Sequence, residues 1–128
     1  MPDRLVVLTL PLKAPLMTLN MQRRSHWSVV AKAKSETALL VGSAVKSARL
    51  KRFDCPISVR LVWFAPDARR RDVDGLAPMM KSILDALVEL ELIDDDSSRH
   101  VHDVQLGPII ISRDHPRFEI HIHRNEAG

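Results

Sequence analysis

Apolar positions along this 128-residue chain switch between a period of two and a period near 3.6, and the switches mark its elements. Residues 4–10 (RLVVLTL) are rich in leucine and β-branched side chains and read as a strand, ended by Pro11 and Pro15. Segment 11–25, with Asn20, Arg23, Arg24 and Ser25, reads as a loop. From Trp27 to Leu50 the apolar positions Val30, Ala38, Val41, Val45 and Ala48 recur at helical spacing, which predicts a long helix that Gly42 weakens without ending. Residues 56–64 (PISVRLVWF) predict a second strand that runs into a Pro66–Arg71 loop. A second helix is predicted over Leu76–Glu91. There Leu76, Met79, Met80, Ile83, Leu87 and Leu90 form one stripe, Lys81, Asp85 and Glu89 lie towards another face, and Pro78 suits the first turn. Strands at 100–112 and 117–123 follow. In the last, Phe118, Ile120 and Ile122 alternate with Glu119, His121 and His123, so one face is buried and one wet. This order predicts a single α+β domain, its core about residues 4–123, with a mixed sheet of about four strands packed against two main helices.

Composition agrees with one domain and a modest core, being 45% hydrophobic and 27% charged. No apolar run approaches membrane-spanning length, and Leu5–Leu12, broken by Pro11, is too short for a signal peptide. The single cysteine, Cys55, forms no intramolecular disulfide and fits a reducing cytoplasm. No basic or histidine neighbour in sequence activates it, so it is expected to be a buried structural thiol.

Charge changes the picture more. The net charge of +3 conceals an asymmetry: residues 1–53 hold ten Lys/Arg against two acids, whereas residues 72–96 hold eight acids against Lys81 alone. A basic surface beside a concentrated acidic site suits a nuclease, with bases on phosphates and acids on a metal, although a solvated helix face would look the same by charge alone.

The acids are placed informatively. Asp72 and Asp74 lie two apart in an extended segment, so both carboxylates can face one ion. Asp94, Asp95 and Asp96 follow the predicted helix, which spans roughly 22 Å, so the two clusters meet only if the flanking backbone folds back. Each has a plain structural explanation as well: Asp74 could cap the helix, and Asp94–Asp96 with Ser97 and Ser98 could be a solvated turn. Lys81 and Asp85 stand four apart, the spacing of an ordinary helical ion pair.

Taken together, Arg69-Arg70-Arg71, Asp72-Val73-Asp74-Gly75, Lys81, Asp85-Ala86-Leu87 and Asp95-Asp96 resemble the signature of the RusA family of Holliday-junction resolvases. The likeness covers about residues 4–123 and includes Asn20, Arg23, Arg24 and His26-Trp27 near the start. Two departures stand out: Gly75 replaces the family's asparagine, and Leu76–Met80 lengthens the spacing from acid to lysine. The resemblance implies a homodimeric, Mg²⁺-dependent endonuclease (with Mn²⁺ as a substitute) acting on four-way junctions and other branched DNA in the cytoplasm of a bacterial or phage-infected cell. It implies Asp72, Asp74 and Asp96 as metal ligands, Asp95 as an auxiliary ligand or outer-shell partner, and Lys81 as the cation that stabilises the transition state or orients the water. Arg23, Arg24, Arg69, Arg70 and Arg71 would hold phosphates.

Other features suggest less. Six histidines, including His100/His102 and His121/His123, raise the idea of zinc, but alternation along a wet strand face explains the second pair. Met79-Met80 belongs to the apolar stripe. Trp27 could stack on an unpaired base but is expected to anchor its helix to the core. A non-catalytic DNA-binding protein of this fold and a phosphoesterase for small phosphorylated substrates are the competing functions.

Overall fold

The computed structural model describes residues 4–125. Strand β1 (Leu5–Leu10) is followed by a short helix α1 (Leu19–Arg24) and the long helix α2 (Trp27–Ala48). Strand β2 (Ile57–Ala65) leads through a 3-10 turn (Val73–Leu76) into helix α3 (Ala77–Glu89), and strands β3 (Val101–Ile111) and β4 (Arg117–Arg124) complete the chain. The sheet order is β1-β4-β2-β3, with β2 and β3 parallel and the other pairs antiparallel. The fold is therefore the single α+β domain that the apolar pattern predicts, with four strands and a mixed sheet.

The α2 and α3 helices cover one sheet face. Leu8, Leu10, Ile57, Val59, Leu61, Phe118, Ile120 and Ile122 meet Val41, Val45, Met79, Met80, Ile83 and Leu87 there. Burying each of the larger of these side chains is worth about 1.5–3 kcal/mol before entropy is charged against it. In β4 the alternation is as expected, with Phe118, Ile120 and Ile122 buried and His123 exposed. Among the described residues no helix is long and apolar enough to cross a membrane.

Four local features depart from the sequence pattern. Segment 11–25 is not all loop: Thr18 accepts a hydrogen bond from the Met21 amide and starts α1. Trp27 does not anchor α2. Its side chain stands 75% exposed at the helix start, because the stripe that buries Ala33, Thr37, Val41 and Val45 does not include position 27. Leu90 lies beyond the end of α3 and is exposed rather than on the buried stripe, since Glu91 adopts a left-handed conformation (φ 61°) that turns the chain away. Cys55 is only half-buried, in the short connection that enters β2.

The chain after α3 doubles back. The Leu92 amide bonds to Leu87 O at 3.0 Å, and Phe53 N to Leu92 O at 2.9 Å, which fastens the returning segment against the start of the β2 connection. The return brings the second acidic run alongside the first half of α3.

Candidate active site

Asp72 and Asp74 lie on the 3-10 turn that joins the β2 loop to α3. Asp72 occupies the N-cap position of the turn but makes no side-chain capping bond, and α3 begins at Leu76 without one. Neither carboxylate is consumed as a cap, and neither has an ion-pair partner among the described residues. The turn is held in place from the sheet. Gly107 of β3 has a left-handed φ of 92°, and an added Cβ there would come within 3.3 Å of Val73 Cγ1, so the absence of a side chain lets the turn approach the strand.

Both acids line a cleft of about 710 Å³ together with Arg23, Arg69, Arg70 and Arg71. Trp63 supports one wall: its indole NH donates to Lys13 O at 2.9 Å, and its ring stacks on Phe118. The five arginines fall into distinct roles. The Arg71 guanidinium donates to Asp67 Oδ1 at 2.6 Å and to Asp67 O at 2.7 Å, and lies 4.6 Å over the Trp63 ring, so it braces the loop. Hydrogen bonds from the Arg69 amide and from Arg71 hold the Asp67 carboxyl below its ordinary range. Arg69 touches the same carboxylate at 3.5 Å but remains 82% exposed, free to turn to another anion. Arg23, Arg24 and Arg70 have no ion-pair partner among the described residues, and Arg24 lies outside the cleft lining.

The three consecutive acids, indistinguishable by sequence, separate by partner. Asp94 pairs with Arg52. Asp95 accepts from the Ser97 amide at 2.8 Å, which makes it a turn residue, and His100 Nε2 lies 3.8 Å away. Asp96 alone meets Lys81, with Nζ donating to Oδ2 at 2.5 Å. The same ammonium lies 3.2 Å from Asp85, which reaches Lys34 of α2 at 2.9 Å. Asp96 and then Asp85 raise the Lys81 pKa, more than partial desolvation lowers it, so this amine is a firm cation. Desolvation pushes the Asp85 carboxyl up, but Lys34 and Lys81 together outweigh it and leave it below its usual value.

Asp72 and Asp74 thus share one cleft, while Asp96 and Lys81 share an ion pair and neither belongs to that cleft's lining. Among the described residues no three His, Cys, Asp or Glu side chains converge as a ready ligand set. One histidine of each pair has a carboxylate partner: His100 faces Asp94 and Asp95, and His121 pairs with Glu119 at 2.9 Å. Lys34 and Asp67 carry no local sequence signal; Lys34 acquires its place only because α2 packs on α3. No protein-family model matches the chain, and no curated protein is significantly similar to it.

Proposed function

We propose that the protein is a Mg²⁺-dependent, structure-selective DNA endonuclease. It would resolve Holliday junctions and related branched DNA by paired phosphodiester hydrolysis, as a homodimer serving recombination and repair in the cytoplasm of a bacterial or phage-infected cell. The observation that supports this best is a cleft in which two carboxylates with no ion-pair partner among the described residues, Asp72 and Asp74, sit among Arg23, Arg69 and Arg70. Arginines there attract phosphate and carboxylates repel it, so the combination favours a phosphate substrate only when a cation lies between them.

The donors suit Mg²⁺, which commonly takes one or two carboxylates and completes its shell with water and substrate phosphate. Mn²⁺ would accept the same oxygens. Asp96 and Asp95 would join them only after the 94–98 segment shifts, because Lys81 and the Ser97 amide hold them now. The ion, when bound, supplies Lewis acidity and charge neutralisation at the attacked phosphate. Arg23, Arg69 and Arg70 position phosphates without reading bases. Arg24 extends that basic surface beyond the cleft, and Arg71 keeps the loop in shape. Lys81, held protonated, is suited to the negative charge that grows on the phosphoryl oxygens in the transition state. A twofold dimer would present two identical sites to two symmetry-related strands.

A second reading, a non-catalytic branched-DNA-binding protein of the same fold, draws on the absence of three converging ligands among the described residues. A gel assay on a synthetic four-way junction with Mg²⁺ or EDTA separates the two. We expect paired, symmetric nicks that need Mg²⁺ and vanish in Asp72→Asn and Asp74→Asn, with junction binding retained or strengthened as phosphate repulsion falls. A shifted but uncut junction in Mg²⁺ would establish the binding protein, and normal cutting by either variant would refute the site.

A further inference from the structure

Trp27 is the largest exposed apolar side chain described, at 75% exposure, and is one of only two tryptophans. A single exposed apolar residue is ordinary on a protein surface and gains significance only from its setting. Here the setting is specific. The His26 imidazole lies 5.4 Å from the indole at a 39° tilt, and its Nδ1 accepts from the Ser28 amide at 3.2 Å, so the neighbouring ring is held in place. Arg23 and Arg24, in the last turn of α1, have no ion-pair partner among the described residues. No Asp or Glu occurs between Arg4 and Glu36, so the surrounding chain is uniformly basic or neutral. Arg23 also lines the cleft that holds Asp72 and Asp74. Trp27 stands four positions further along the chain, which puts the two Cα atoms at most about 14 Å apart.

We infer that Trp27, steadied by His26 and flanked by Arg23 and Arg24, is a stacking platform for an unpaired nucleobase next to the cleft. The inference rests on the DNA-binding part of the function proposed above. An indole offers a flat π-face that any base can cover, and the arginines would take the phosphates on either side. The platform therefore selects for strand opening rather than for sequence. Its ligand is a branch point with at least one unstacked nucleotide, in preference to continuous duplex.

The test needs no cleavage. In EDTA, binding would be measured by anisotropy to three labelled DNAs: a four-way junction with one unpaired nucleotide at the branch, the same junction fully paired, and linear duplex. Trp27→Ala should weaken binding to the first by roughly tenfold to a hundredfold and leave duplex affinity within about twofold, whereas Trp27→Phe should keep most of the preference. The exposed position makes both variants compatible with the fold, which circular dichroism would check. Equal losses on all three DNAs, or no loss on any, would overturn the platform. So would a Trp27→Ala protein that sediments at a lower mass with unchanged DNA affinity, since the indole would then be a contact between copies. A wild type that shows the expected preference but never cuts in Mg²⁺ keeps the platform and removes the nuclease. A wild type that cuts, with Trp27→Ala binding normally, does the reverse.

Discussion

Two glycines near the acidic turn behave oppositely, and the contrast yields a direct test. Gly107 sits at φ 92° with Val73 pressed against the space a Cβ would take. Gly107→Ala should cost about 1–3 kcal/mol in urea unfolding, because the backbone conformation is strained for any side chain and the Asp72–Asp74 turn must retreat. At Gly75 an added Cβ meets nothing within 4 Å. Gly75→Asn should change stability by no more than about 0.5 kcal/mol in the same measurement, so any effect on metal affinity would be chemical rather than steric. The pair Asp72/Asp74 was legible in the sequence as two acids one residue apart, but the expected extended segment is a 3-10 turn, entered at Asp72 and holding Asp74, and the shared cleft comes from where that turn sits rather than from strand alternation. The need for Gly107 was not, since a left-handed φ and the approach of Val73 arise only once β3 lies beside the turn. The exposure of Trp27 was hidden for a similar reason: aromatic identity says burial, and only the orientation of the α2 stripe says otherwise.

At the scale of the element, α3 acts as a ruler between the two acidic runs. Lys81 stands eight residues before the helix end at Glu89, about 12 Å along its axis, and the return after Glu91 covers that distance to bring Asp96 onto it. Sequence pattern found the helix and its buried stripe but could not show this reversal, which depends on Glu91 adopting a conformation that nothing local demands. Helix α1 escaped notice because six residues are too few for a period, although Thr18 followed by a polar helical turn was an available sign. Asp85 links α2 to α3 by holding Lys34 and Lys81 at once. Asp85→Asn should lower stability by about 1 kcal/mol in thermal or urea unfolding and loosen Lys81 from its fixed direction, with Asp85→Glu recovering part of the loss. A wild-type unfolding curve for Asp85→Asn would mean that the bridge is a surface ornament.

Across the whole molecule, the sheet face turned away from the helices carries its own polar ladder. Glu119 lies between Arg117, 3.0 Å away, and His121. Partial burial raises its pKa, but the hydrogen bonds from His121 and Arg117 outweigh that and set it below the ordinary glutamate value. A depressed carboxyl stabilises the fold above its unfolded-state pKa and loses that contribution as pH falls through the folded one. Midpoints of thermal unfolding should therefore decline as pH drops below the ordinary glutamate range, and Glu119→Gln should flatten the acid limb. The alternation in β4 announced this two-faced sheet, yet strand order and the parallel β2–β3 pair lay beyond any local pattern. The two tryptophans also divide the molecule optically. Trp63 is buried on Phe118, Trp27 faces water, and the chain has no tyrosine. Its ultraviolet emission thus splits into a blue component that reports the integrity of the core and a red, iodide-quenchable one that reports whatever covers α2's first residue, so unfolding and ligand capture can be followed in one cuvette without a label.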